Sequence, residues 1–229
     1  MALPSSARAY ALPPLTDAIE LQALAAGIGA DVTLDACERL LAYLDAMLAE
    51  NEHVNLTAVR EREAAVRFHA LDSLAVACGG IDDEPREVLD LGTGNGFPGV
   101  AIACVFPRAR VVLMDRTLKK LKAIERALAA SGFDAARFES MQMDAGEGPA
   151  HGLGKRFDLI ATRAVGPPTA IAPLAKPMMA RDARLLCWIN GDAEVTVQLK
   201  GALKRQYEVE YRLPEPDERL RRLVHYGRG

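Results

Sequence analysis

The stretch Val88-Leu-Asp-Leu-Gly-Thr-Gly-Asn-Gly-Phe-Pro-Gly99 runs an apolar strand directly into a glycine loop, with one acidic residue, Asp90, just ahead of it. Gly92, Gly94, Gly96 and Gly99 permit backbone conformations closed to other residues and let a ligand approach the main chain closely. Pro98 suits the first turn of a following helix. A flat or anionic ligand is expected on this turn.

The spacing Gly94-x-Gly96-x-x-Gly99 satisfies the dinucleotide pattern, and a second strand, 110–114, delivers Asp115 where a ribose-binding carboxylate falls. That pattern alone does not decide the ligand. Asp90 does more, because a carboxylate beside the loop repels a pyrophosphate but suits a ligand carrying ammonium and sulfonium charges. S-adenosylmethionine is such a ligand. Asp115 can accept hydrogen bonds from both ribose hydroxyls, and it or Thr117 can also cap the helix that follows.

Around this centre the apolar pattern alternates between strands and helices. Strands are expected at 87–91, 110–114, 137–141, 157–162 and 184–189, with helices at 98–106, 117–131 and 169–179 between them. This is a doubly wound, mostly parallel α/β sheet of Rossmann-like type. Helical periodicity over 15–26, 32–49 and 61–77 forms an N-terminal extension. A helix is expected at 193–203, then a closing antiparallel pair at 206–213 and 223–226. The chain divides into a lead-in (1–14), the helical extension (15–80) and an α/β domain (81–229).

Composition fits a soluble intracellular enzyme. Half of the 229 residues are apolar, ample core for one α/β domain and its extension. The apolar run 100–106 beside the loop is too short to span a bilayer, and no secretory leader pattern opens the chain. Cys37, Cys78, Cys104 and Cys187 are isolated from one another and from histidines, which predicts buried thiols in a reducing, cytoplasmic compartment and no metal site. The net charge of −3 gives no overall nucleic-acid signature. Local clusters must supply one: Arg60, Arg62 and Arg67; Lys119, Lys120 and Lys122; Arg219, Arg221 and Arg222.

Two further groups have plain structural roles beside functional ones. His69 and Asp72 share a helix face but lack the further ligands a metal needs; a local hydrogen bond or cap is the plainer role. Trp188, the only tryptophan, can stack on a base, although its strand pattern points to burial.

Several motifs resemble the glucose-inhibited division protein B family, bacterial methyltransferases that modify N7 of a guanine in 16S ribosomal RNA. The resemblance covers the chain beyond Tyr43. It rests on Asn55-Leu-Thr-Ala-Val-Arg60, His69-Ala-Leu-Asp-Ser-Leu74, the glycine loop, Asp115-Arg-x-x-Lys-Lys120 and Thr162-Arg-Ala164. The first two are the specific ones, since methyltransferases in general share only the glycine loop. The resemblance implies that S-adenosylmethionine binds against Gly92, Thr93, Gly94 and Phe97, with Asp90 and Asp115, and that adenine lies near Gln142 and Met143, with Asp144 as an alternative contact. It also places Arg163 on the substrate-facing side, as a clamp for phosphate or for the methionine carboxylate. One departure stands out: many relatives carry a lysine-glycine pair where this chain has Asn190-Gly191, so a cation is lost from the substrate side.

The implied partner is 16S ribosomal RNA or the small ribosomal subunit; the oligomeric state is left open. Rival readings keep the cofactor but methylate a small molecule or protein, or replace it with a nicotinamide dinucleotide for an oxidoreductase, or retain the fold as a binding module without catalysis.

Overall fold

The computed structural model describes residues 17–199, 203–214, 218 and 220–229. The lead-in 1–14 lies outside them. Two capped helices begin the described chain. In α1 (Ala18–Gly27) the Asp17 carboxylate accepts from Glu20 N, and in α2 (Leu34–Asn51) the Thr33 hydroxyl accepts from Ala36 N. Next come α3 (Arg62–Ala65), a π-helical segment over Val66–Leu71, and α4 (Asp72–Leu74), closing in a 3-10 turn at Ala75–Ala77. Sequence periodicity predicts one regular helix here; the wider turn is invisible to it.

The sheet has eight strands in the order β3-β2-β1-β4-β5-β8-β7-β6. Strands β1 (Glu87–Leu91), β2 (Arg110–Asp115), β3 (Phe138–Gln142), β4 (Phe157–Arg163) and β5 (Met179–Asn190) run parallel. The order reverses between β1 and β4, the switch point at which open α/β sheets bind ligands. Helices α5 (Gly99–Val105), α6 (Leu118–Ala130) and α7 (Pro168–Ala175) connect the strands. Val88–Leu91 is buried throughout, as befits a parallel strand covered on both faces.

Two cores flank the sheet. One joins α1, α2, α5 and α6 through residues such as Leu40, Tyr43, Ile102 and Leu121; the other lies beneath α7 around Phe157, Met178 and Tyr226. The extension thus packs as one layer of the α/β core. The four cysteines are free, with Cys78 half-buried and the rest buried.

Two expectations need correction. The helix over 169–179 ends at Ala175, because Pro173 and Pro177 interrupt its ladder, and β5 starts at Met179. Over 193–199 the helix expected at 193–203 is not formed: 193–197 is loop and Gln198–Leu199 is strand β6, paired antiparallel with β7 (Leu203–Arg212), while 200–202 lie outside the described residues. The run Val195-Thr196-Val197 is β-branched, and the Tyr226 hydroxyl bonds the Thr196 carbonyl, both favouring extended chain. The expected closing pair is present as β7 with β8 (Leu220–Arg228).

Candidate functional site

At the switch point the loop after β1 turns through three positive-φ glycines, Gly92, Gly94 and Gly96. Gly92 and Thr93 donate their N–H groups to the Met114 carbonyl at 2.9 Å, which ties the loop to the end of β2. Gly94 N donates to Asp115 Oδ2 at 3.1 Å, and Thr117 N to Asp115 Oδ1 at 2.8 Å. Asp115 therefore both opens α6 and faces the cavity, and each oxygen keeps a lone pair for a ribose hydroxyl.

Asp90 behaves otherwise than expected. Its side chain is fully buried and absent from the cavity wall; Oδ2 accepts from Thr93 Oγ1 at 2.7 Å and from Gly99 N at 2.9 Å. It fastens the glycine loop to the first turn of α5 from behind the cavity wall. Burial pushes its carboxyl up to about 6, against the pull of the Thr93 and Gly99 hydrogen bonds. Its Oδ1 has no hydrogen-bond partner, so a cationic ligand across the loop would relieve an uncompensated negative charge.

The extension reaches the same loop from the other side. The buried Tyr43 hydroxyl donates to the Asn95 carbonyl at 2.9 Å, and a Cβ added at Gly96 would collide with it. Phe97 packs between Tyr43 and His69, with ring centroids at 5.5 and 5.8 Å. Its ring also faces the Arg163 guanidinium at 5.9 Å.

Arg163 is the hub of the opposite wall. Its Nη1 donates to the Phe68 carbonyl at 2.9 Å and to Asp72 Oδ2 at 3.2 Å, and its Nη2 meets His69 Nδ1 at 3.4 Å. The Phe68 carbonyl lies in the π-helical segment. Asp72 Oδ1 accepts from the Tyr211 hydroxyl at 2.7 Å, and the Asp72 carbonyl from the Trp188 indole at 2.8 Å. Four elements, the helical extension, β4, β5 and β7, thus converge on one aspartate. On this wall the guanidinium is ion-paired with Asp72 while its ring-facing side stays close to Phe97 and His69. His69 Nε2 bonds Thr57 Oγ1 at 2.9 Å; burial and the Arg163 charge lower its pKa to about 3, so it stays neutral near pH 7.

These groups border one cavity of about 970 Å³. Gly92, Thr93, Gly94, Phe97, Asp115, Met143 and Arg163 line it. Gln142 does not: it is exposed, and its amide donates to the Arg116 carbonyl at 3.2 Å. Asp144 takes its place on the wall. Trp188 is half-buried, packed against the core and lining the wall, and Tyr211, which no motif marked, stands beside it.

The basic clusters are divided. Arg62 pairs with Asp45, Arg67 is buried, and Arg222 pairs with Glu210. Arg116, Lys120 and Arg221 reach the cavity. Arg221 Nη1 donates to Asn190 Oδ1 at 2.9 Å, so an arginine from β8 stands where β5 carries no lysine. Arg219 lies outside the described residues. No helix among the described residues is long and apolar enough to cross a membrane.

Comparison with known proteins agrees with this geometry. The "Ribosomal RNA small subunit methyltransferase G" of Syntrophotalea carbinolica is 33% identical over 177 residues, covering 76% of this chain and 78% of its own. Among solved structures, cofactor-bound Rv0187 from MTB superposes with a TM-score of 0.55 at 19% identity, covering 80% of this chain and 88% of its own. A predicted O-methyltransferase, Atu636 from Agrobacterium tumefaciens, gives 0.55 at 20%, covering 65% and 77%. Both likenesses establish the fold. Residues 36–213 match the family described as GidB, rRNA small subunit methyltransferase G, and the chain belongs to that family.

Proposed function

We propose that this protein transfers a methyl group from S-adenosylmethionine to N7 of a guanine in 16S ribosomal RNA, acting in the cytoplasm on the small ribosomal subunit or its RNA. The observation that carries the reading is a single cavity with two differently built walls. The glycine loop, Asp115 and Met143–Asp144 suit an adenosine, and Phe68, Trp188, Tyr211 and Arg221 face the remaining space.

Bound S-adenosylmethionine supplies an electrophilic methyl on sulfur. The residues present fit it: Asp115 is placed for ribose hydroxyls, Asp144 or Met143 for adenine, and the unpartnered Asp90 Oδ1 supplies negative potential behind the loop. Guanine N7 carries an in-plane lone pair and needs no deprotonation before it attacks. The protein must therefore place and orient, which can supply roughly 7–11 kcal/mol of the barrier. His69, neutral by burial, is not required as a base.

As N7 takes the methyl, positive charge develops on the purine, and an unpaired arginine beside it would oppose the reaction. Asp72 answers that charge at Arg163. In this reading the extension 15–80 and the domain 81–229 work as one unit, because Asp72 lies in the first and Arg163 in the second. The cavity-facing Arg116, Lys120 and Arg221 suit phosphates at its mouth.

The test is transfer of labelled methyl from S-adenosylmethionine to small subunits isolated from a strain lacking this protein. Incorporation into RNA, about one methyl per subunit, is expected. Incorporation into metabolites or protein, with RNA unlabelled, would move the acceptor elsewhere; stabilisation by a nicotinamide dinucleotide would overturn the cofactor.

A further inference from the structure

We propose that Trp188 is the stacking face for the target base, a role that rests on the guanine reading above. The indole has little polar capacity left to offer. Its only hydrogen-bond donor, Nε1–H, is spent on the Asp72 carbonyl at 2.8 Å, so towards a ligand in the cavity it presents carbon and π surface alone. That bond also fixes the ring, since it anchors the indole edge to the helical extension.

Its location is the second step. Trp188 is the register partner of Arg163 on β4, at the carboxyl end of β5. Asp72 holds both, Arg163 through Oδ2 and Trp188 through its carbonyl. Arg163 in turn lies 5.9 Å from the Phe97 ring on the glycine loop. The indole is therefore one side chain removed from the loop that faces the cofactor. Half-buried on a cavity wall, it leaves apolar surface that a purine would cover.

Chemistry is the third step. A guanine presented to the cavity must leave its stack, and an aromatic face restores the stacking it gives up. Methylation at N7 makes the purine cationic, and an indole is the best of the protein rings for a cation. The same face then holds the developing charge, with Arg163 ion-paired to Asp72. Beyond the indole, the Asn190–Arg221 pair continues the wall outward towards the cavity mouth and would meet the flanking backbone.

Because Trp188 is the only tryptophan, its emission reports on this spot alone. With the wild-type full chain saturated with S-adenosylhomocysteine, 7-methylguanosine monophosphate is expected to quench the emission, guanosine monophosphate to quench it at higher concentration, and cytidine monophosphate least. Trp188→Ala is expected to raise KM for small subunits at least tenfold with S-adenosylmethionine affinity within twofold of wild type, and Trp188→Phe to recover most of the loss. A purely structural tryptophan would lower cofactor affinity and stability together. No quenching by 7-methylguanosine monophosphate up to about 10 mM, or wild-type KM in Trp188→Ala, would overturn the proposal. Quenching needs no methyl transfer, so the two readings fail separately: RNA left unlabelled by the wild type removes the reaction, and an unresponsive indole in an active enzyme removes only the stacking role.

Discussion

The two walls of the cavity are built on opposite plans. The wall proposed for the cofactor is nearly contiguous: residues 91–95, 97 and 114–117 close two adjacent strands, and most of their bonds are made by the backbone. The acceptor wall is dispersed, drawing Asp72 from the helical extension, Arg163 from β4, Trp188 from β5 and Tyr211 from β7, with side chains making most of its contacts. A ligand common to a fold class is met by main chain on a shared turn, whereas a specific acceptor is met by side chains that the fold assembles. The difference predicts that the walls can be damaged separately.

The largest effect on ligand affinity should follow from Gly92→Asp. Gly92 adopts φ +76°, and an added Cβ would press on the Val165 side chain. Bulk and negative charge then enter the cradle, and S-adenosylmethionine affinity should fall by roughly a hundredfold or more, about 2.7 kcal/mol. Calorimetric titration would read this, and undiminished affinity would break the assignment of that wall.

Arg163→Ala comes next. It strands Asp72, whose side chain is 8% exposed, with Tyr211 as its remaining donor. Removing one partner of a buried pair costs about 3–5 kcal/mol. Chemical denaturation should show a loss of that order, and methyl transfer should fall with it. Unchanged stability with unchanged kinetics would show that the pair does not organise the site.

Tyr211→Phe sharpens the comparison with a smaller change. It deletes one hydrogen bond to a charged group, worth about 1.5–3 kcal/mol. RNA turnover should drop several-fold while cofactor affinity stays within twofold. Parallel loss of both would mean that the walls are not separable.

The smallest effect is a pH dependence of stability. Burial lowers the pKa of His69 to about 3 and of His225 to about 4, and raises that of Asp90 to about 6. For each histidine the folded value lies below the unfolded one, so its contribution is present above about 6.5 and is lost as pH falls through the folded value. For Asp90 the folded value is the higher, so its contribution is present below the unfolded value and lost as pH rises through about 6. Between pH 6 and 4.5 two groups oppose one, and stability should fall on acidification by about 1.4 kcal/mol per pH unit. His225→Gln should flatten that slope, as denaturation at several pH values would show; an unchanged slope would remove His225 from the account.

The same contrast explains what the sequence disclosed. The glycine loop, Asp115, Met143 and the parallel strands were legible because each is a local pattern of glycine placement, period and spacing. Asp90 was legible as important but not in its role, since spacing does not reveal that Thr93 and Gly99 consume Oδ2. Gln142 and Met143 alternate across a strand end, and a shift of one residue decides which faces the cavity. The Asp72 hub was hidden because its partners lie between 91 and 139 positions away. Asn190 read as a lost cation; only the β5–β8 register brings Arg221 beside it. The π-helical segment has no periodic signature, yet it carries the Phe68 carbonyl that Arg163 binds.

The central claim is that this site places a nucleophile which needs no deprotonation. The direct measurement is to map the methyl group within RNA from labelled small subunits by reduction and aniline cleavage, which breaks the chain only at N7-methylated guanine. A single cleavage site carrying all the label is predicted. Label that resists cleavage, on guanine N1, an exocyclic amine or a ribose hydroxyl, would contradict the account, because those acceptors must lose a proton where N7 offers a lone pair.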